Sequence, residues 1–579
     1  MANIFVAAKL LKVLLLLSLL LAGCSSMREG IEMDGNCALK DLPYPRPEPD
    51  YSGKQALDFS PFASAMEGYG PEALAALETL ISGKTIPELQ VLMENGQLTS
   101  VDMVIYYLER IQRYDANKLN SVLELNPTAL DIAQARDDQR AAGAVHGLMH
   151  GIPILLKDNI ATADQLHTAA GAAAMLGWDP ARDAFLVSQL RQAGAVILGK
   201  ANLSEWANWM DSCMPNGFSS NGGQTQNPYG AFETYGSSSG SAVSVAADLT
   251  TVSVGTETQG SIIKPAEINS VVALKTSRGL VSRDHIIPLL PIQDVPGPFG
   301  RSVTDVAVLL SAMSGVDSRD PETANAAGLA GTDFTRYLSA DALHGVRVGL
   351  PLWNEQAFSE YFEQLGIKDE QARAGLRAEL EEDDLQMQAI GEVLREAGVT
   401  VVEIPPSALP GRVDIIPALT HGYRLAINQF LADLGDEAPV ASLEAIIAFN
   451  KEDLAHRAPY GQDHLLASQD SNLEVQEFEG MIQDNQRIAR ERIDGLFKQH
   501  GIDLVASDLG QLYAPAGYPA LTVPAGYDQD GEPWGVIFVG GYLSEAQLLA
   551  VGYAFEQSAQ ARVAPDLEGT MNLIAAPGG

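Results

Sequence analysis

Between residues 99 and 114, apolar side chains fall at Val101, Val104, Ile105, Leu108 and Ile111, a spacing that places them on one helical face. A helix is predicted from Ser100, a candidate N-cap, to about Tyr114. Gly151 to Leu156 is different: a continuous apolar run that reads as a buried strand and delivers Lys157 at its end. Val187 to Ala193 reads as a helix and Ala195-Val196-Ile197-Leu198 as the strand after it. The small residues Ser241 to Ala247 predict another helix, and Leu249 to Val254 another strand. Helices alternating with short buried strands define an α/β chain whose sheet is covered on both faces. Residues 320–500 read as helical and acidic, and their run Glu379-Leu380-Glu381-Glu382-Asp383-Asp384 reads as a solvated helix face.

Two serine-rich glycine turns lie between Tyr235 and Ala266, joined by the predicted helix and strand. Serine is a poor nucleophile until a base takes its proton, and a tetrahedral oxyanion needs backbone N–H groups that a small-residue turn can aim at it. Ser261 ends the second turn, Gly255-Thr256-Glu257-Thr258-Gln259-Gly260, and Ser237 lies in the first. Lys157 is the candidate base. An unperturbed lysine, near pKa ~10.4, is protonated at neutral pH, but desolvation lowers it by several units. Asp158 would oppose this if its carboxylate faced the ammonium, so alternation along the strand predicts that it points away.

The order of these segments resembles the amidase signature family, whose core carries GGSSGGSA and then GTDTGGSIRxPA, with a lysine upstream. GKANLSEWAN (199–208), GGQTQNPYG (222–230), LKTSRGLVSRDHIIPL (274–289), QDVPGPFGRSVTD (293–305) and GYPALTVPAGYDQDGEPWG (517–535) follow in the family's order. TETQGS and GQTQNP further resemble bacterial peptide amidases. The resemblance implies one large domain over 76–570 with a mixed central β-sheet, although a length of 579 residues would by itself allow several domains of ~150. Residues 320–500 carry none of the motifs and are expected to form a variable helical region over the substrate entrance. By the same resemblance Ser261 is the acyl-enzyme nucleophile, Ser237 a bridging serine after a cis peptide bond, and Lys157 the base. The backbone N–H groups of Thr258, Gln259, Gly260 and Ser261 are the implied oxyanion donors. Four positions depart from the pattern. Tyr235, Ser239 and Gln259 stand where it has glycine, and Ile263 replaces the arginine, with Lys264 beside it.

Competing chemistries find less support. Gly236-Ser237-Ser238-Ser239-Gly240 matches the G-x-S-x-G nucleophile elbow, which would nominate Ser238, but its flanks are polar and turn-like where an elbow follows a buried strand. There is no H-E-x-x-H, no C-x-x-C among Cys24, Cys37 and Cys213, and no G-x-x-x-x-G-K-[ST], so no metal, nucleotide or other cofactor is expected. A formal net charge of −37 argues against nucleic acid or an anionic membrane as partner of the folded domain. The expected partner is a small-molecule or peptide amide substrate. An esterase, an amidotransferase subunit and a catalytically inactive relative are the alternative readings.

The N-terminus carries Lys9 and Lys12, then an apolar run from Val13 to Leu21, which is the pattern of an export signal over 1–23. Leu21-Ala22-Gly23-Cys24 resembles a bacterial lipobox, which implies lipidation at Cys24 and a location in a bacterial cell envelope, with membrane contact only through that anchor. The proline-rich residues 24–75 are expected to be an extended tether. Cys37 in that tether is a candidate partner for Cys213.

Overall fold

The computed structural model describes Tyr44 and residues 53–575. Its strands are β1 (Val122–Leu125), β2 (Pro153–Lys157), β3 (Val196–Ala201), a short hairpin of β4 (Phe218–Ser219) and β5 (Gly223–Gln224), β6 (Val252–Glu257), β7 (Val272–Lys275), β8 (Val295–Gly300), β9 (Arg347–Pro351), β10 (Thr400–Ile404), β11 (Leu504–Ala506), β12 (Ala520–Tyr527) and β13 (Pro533–Gly540). Eleven of these form one sheet in the order β1-β3-β2-β6-β8-β7-β12-β13-β11-β9-β10. The sheet is mixed. β3, β2 and β6 run parallel, as do β11, β9 and β10, while the strands between them pair antiparallel.

Alternation along the strands divides the apolar residues between separate cores. Leu504, Ala506, Leu521, Val523 and Phe538 join the largest cluster, whereas Val505, Ala520, Ile537 and Val539 belong to another. Successive side chains of a strand point to opposite faces, so both faces of the sheet are packed, as the α/β pattern predicts. β2 is buried along its whole length, which is why the sequence there is a continuous apolar run.

Several predicted elements form with shifted boundaries. The first helix spans Ser100–Arg110, and Thr99 rather than Ser100 caps it, its side chain accepting from the N–H of Asp102. The helix after the first serine turn is Ser239–Ala246 and the strand after it is β6, three residues later than predicted. Residues 320–500 are more than a helical cover. They contribute β9 and β10, which pair in parallel with each other and continue the sheet beyond β11. In the acidic run, Glu381 is exposed as expected of a solvated face, but Asp384 is buried and accepts from Gln388 Nε2 at 3.0 Å, so the end of the run within the helix Glu370–Glu396 turns inward.

The expected tether over 24–75 is also shorter than predicted. Phe62 and Met66 are buried in the main core, and the N–H of Gln55 donates to the carbonyl of Asn221 at 2.7 Å, so packing onto the domain begins before residue 76. The expected signal over 1–23, Cys24 and Cys37 lie outside the described residues. Cys213 is buried and disulfide-bonded.

Candidate active site

Because β2 and β6 are parallel neighbours, the residues that follow them emerge at one edge of the sheet, where open α/β sheets place their ligands. Lys157 is the last residue of β2, and the turn Thr258–Ser261 follows Glu257 at the end of β6. The first serine turn is brought to the same place by the helix Ser239–Ala246, which packs on β2, β6 and β8.

Lys157 is fully buried, and its Nζ donates to Ser237 Oγ at 2.7 Å, Ser238 Oγ at 3.0 Å and the carbonyl of Thr256 at 3.1 Å. None of these partners is charged. Burial lowers its pKa to about 7, against the opposing attraction of the Asp294 and Glu257 carboxylates. Asp158 does not enter this balance. Its Oδ2 accepts from the N–H groups of Ala169 at 3.2 Å and Gly171 at 2.9 Å, so it points away from Lys157 as alternation predicts.

The peptide bond between Gly236 and Ser237 is cis. A Cβ at Gly236 would lie 2.2 Å from Ser204 Oγ, so this position admits no side chain. The Ser237 carbonyl accepts from the N–H of Ser204 at 3.0 Å, which fixes the turn from below. Tyr235, in place of the family's glycine, takes a left-handed φ of 52°, a conformation in which glycine carries the smallest steric cost. Ser239, the other departure in this turn, starts the helix and donates from its Oγ to the carbonyl of Tyr235.

Ser261 is 7% exposed, and its Oγ makes no intramolecular hydrogen bond among the described residues. The two serine turns are joined through the backbone, the N–H of Ser238 donating to the carbonyl of Ser261 at 3.2 Å. Side chain to side chain, the chain of contacts runs from Lys157 to Ser237 and stops there in this geometry. The N–H groups of Thr258, Gln259, Gly260 and Ser261 have no intramolecular acceptor among the described residues, so they are available to an oxyanion.

Ser238, the residue nominated by the elbow pattern, is fully buried. Its hydroxyl donates to the carbonyl of Thr256 at 3.0 Å and accepts from Lys157 Nζ and from the N–H of Thr256 at 3.2 Å. With both donor and acceptor capacity used, it holds the lysine rather than attacking a substrate. Gly255 permits this close approach, since a Cβ there would meet Ser238 Oγ at 2.7 Å and Phe299 Cε2 at 2.5 Å.

Glu257 was not singled out by sequence reasoning. Its Oε2 accepts from the N–H groups of Ile262 at 2.8 Å and Ile263 at 3.1 Å, the first amides after the second serine turn. A carboxylate on β6 thus holds the backbone that follows the second serine turn, at the position where Ile263 replaces the arginine of the family pattern. Lys264 does not share this role, because its ammonium lies 2.9 Å from Glu267 and 2.9 Å from Asp508, which hold its pKa above the usual lysine range.

A cavity of about 380 Å³ opens beside the site. It reaches the edge of the sheet that carries Lys157 and the serine turns at Thr256 and Thr258 rather than at Ser261 itself, and Ile287, Leu289 and Val295 line it. The helix Ile416–Leu434 contributes Ala426, Gln429 and Phe430, so the 320–500 region does border the space next to the chemistry. Among the described residues no group of three His, Cys, Asp or Glu side chains is placed to hold a metal ion.

This combination of a mixed sheet, two glycine turns and a buried lysine is that of a hydrolase. The chain belongs to the amidase family, whose family model, described as Amidase, matches residues 102–512. A protein of Arabidopsis thaliana described as a probable amidase is 36% identical over 494 residues, which cover 84% of this chain and 92% of that protein. Among solved structures, an amidase family protein from Bacillus anthracis superposes with a TM-score of 0.79 at 37% identity, covering 90% of this chain and 99% of its own. The native peptide amidase from Stenotrophomonas maltophilia superposes with a TM-score of 0.74, also at 37% identity, over 84% of this chain and 99% of its own.

One expectation is overturned. Relatives in Arabidopsis thaliana, Schizosaccharomyces pombe and Arthroderma benhamiae, 36%, 34% and 30% identical, are plant and fungal proteins and not lipoproteins of a bacterial envelope, so the envelope location does not hold. The physical reason is how little carried it: a short apolar run and four residues ending at Cys24, all outside the described fold. Among the described residues no helix is long and apolar enough to cross a membrane.

Proposed function

We propose that this amidase cleaves carboxamide C–N bonds through an acyl-enzyme on Ser261, with Ser237 as proton relay and Lys157 as base. The observation that carries the reading is the 2.7 Å hydrogen bond between Lys157 Nζ and Ser237 Oγ, made by a buried lysine whose pKa lies at about 7. A lysine in that state is neutral in a large fraction of molecules at physiological pH and accepts a proton through Ser237 as Ser261 attacks. The carbonyl oxygen takes up negative charge opposite the free N–H groups of Thr258 to Ser261. Collapse of the tetrahedral intermediate returns the proton through Ser237 to the leaving nitrogen, and ammonia departs. Water then attacks the acyl ester, with the same relay removing its proton.

C-terminally amidated peptides are the first candidate substrates. The 37% identity to a peptide amidase over nearly all of that enzyme's chain supports this, and the cavity beside the site is of a size that takes a small ligand or the end of a longer one. Mass-spectrometric screening of the purified protein against a mixed library of amides and esters, with Ser261→Ala as the blank, tests the proposal. Release of ammonia from peptide amides by the wild type alone is the expected result; turnover of esters with every primary amide untouched would overturn it.

A further inference from the structure

We infer that Asp294 is a positioning residue of the oxyanion turn, acting through Thr258. Thr258 is the first residue after β6 and the first of the four with a free N–H. Its Oγ1 donates to Asp294 Oδ1 at 2.5 Å, and its carbonyl accepts from Gln293 Nε2 at 3.2 Å. Two consecutive residues therefore grip both its side chain and its backbone. They are held in place themselves, because the next residue, Val295, begins β8 in register with Glu257 of β6. The rest of the Asp294 carboxylate is occupied by the N–H groups of Leu289 at 2.9 Å and Leu290 at 3.1 Å and 2.9 Å. A carboxylate saturated from two sides cannot rotate away, and so it fixes where Thr258 sits. Leu289 and Asp294 also line the cavity beside the site, so the clamp ties the cavity wall to the oxyanion turn.

The catalytic consequence is specific to the transition state. Oxyanion donors act only when the carbonyl oxygen becomes charged, and the loss of a whole donor costs ~10²–10³-fold in kcat. A donor that is displaced rather than removed loses part of this. The charge of Asp294 has a second effect: with Glu257 it is one of the two carboxylates that raise the pKa of Lys157 against the effect of burial. The charged groups that bear on the pair are Arg283, which acts on Asp294, and Glu257, which acts on Lys157; both remain in place when Asp294 is neutralised.

The proposal rests on the Ser261 reading of the mechanism, and the experiment separates the two. Steady-state kinetics on a peptide amide are compared for wild type, Ser261→Ala, Asp294→Asn, Thr258→Val, Thr258→Ser and the Asp294→Asn/Thr258→Val double variant. Asp294→Asn is expected to lower kcat ~10–100-fold with KM within about threefold, the split expected when an interaction is made only in the transition state. The acidic limb of kcat/KM moves to lower pH by about half a unit or more, because a negative neighbour of the base is gone. Thr258→Val gives a similar loss of kcat without moving the limb, Thr258→Ser restores kcat to within about threefold, and the double variant is little worse than either single one. Thr258→Val carries the test if Asp294→Asn does not fold. A loss confined to KM, an additive double variant, or an unmoved limb in Asp294→Asn overturns the role of Asp294 while leaving the Ser261 reading intact. Turnover by Ser261→Ala overturns that reading and this inference together.

Discussion

Replacing Lys157 by methionine separates what the lysine does for catalysis from what it does to stability, and the two move in opposite directions. Its pKa falls from 10.5 when free to about 7 in the folded chain because burial penalises the charged form. Between these values the unfolded chain binds a proton that the folded one does not, so stability rises with pH across this window. Below about pH 7 both states are protonated and the penalty is at its full size; above 10.5 neither is, and it vanishes. At pH 7 the shift amounts to roughly 4 kcal/mol of stability withheld from the fold. Methionine removes this penalty but also removes three hydrogen bonds, to Ser237, Ser238 and Thr256, at about 1 kcal/mol each. The expected net result is a variant about 1 kcal/mol more stable than wild type at pH 7 and about 3 kcal/mol less stable near pH 11, with no turnover at either. Urea titration at the two pH values measures the stability difference. Other buried lysines such as Lys275, at about 8, contribute equally to both proteins and cancel in the comparison. In wild type, kcat/KM should rise with pH through a midpoint near 7 as Lys157 loses its proton. A stability difference that does not change sign between the two pH values, together with a flat rate profile from pH 6 to 9, would refute the buried-base argument.

Ser261→Ala is expected to lose ~10³-fold or more in kcat and all labelling by a serine-reactive phosphonate, whereas Ser238→Ala keeps the label, because Ser238 Oγ is spent on Lys157 and Thr256. The opposite labelling pattern would restore the nucleophile elbow. Glu257→Ala strips the acceptor from the Ile262 and Ile263 amides, which predicts ~2–4 kcal/mol of lost stability and faster hydrogen exchange at those two amides, read by mass spectrometry. Unchanged exchange there would mean that something else orders the turn. Gly255→Ala drives a methyl group into Ser238 and Phe299, so activity should fall as Ser238 is pushed off the lysine; a wild-type pH profile in this variant would count against that linkage.

How much of this was legible in the sequence follows from the distance over which each feature is determined. The strand that carries Lys157 announces itself locally, since an apolar run buried on both faces has no other use for five consecutive nonpolar residues. The turn at Gly255 to Ser261 is equally local, because its glycines are demanded by close approach and by a φ of +76° at Gly260. β9 and β10 were missed for the opposite reason. Their segments, Arg347–Pro351 and Thr400–Ile404, are short and flank a long acidic helix whose composition dominates the region; β9 is placed by pairing with β11, more than 100 positions later, and β10 joins the sheet only through β9. Glu257 and Asp294 were invisible as site residues because an isolated carboxylate has no pattern until the amides or hydroxyls it serves are folded around it. The same holds for Lys157, the proposed base. A lysine after an apolar strand is ordinary in a sequence, and nothing within ten residues of Lys157 distinguishes it from one that ends in solvent. Its enclosure comes from Ser237, Ser238 and Thr256, 80, 81 and 99 residues further along, which together replace water with two hydroxyls and a carbonyl. The chemistry of this site is therefore a property of the junction between β2, β6 and the first serine turn. Sequence reading reaches it only where each of the three segments carries its own local demand for small or apolar residues.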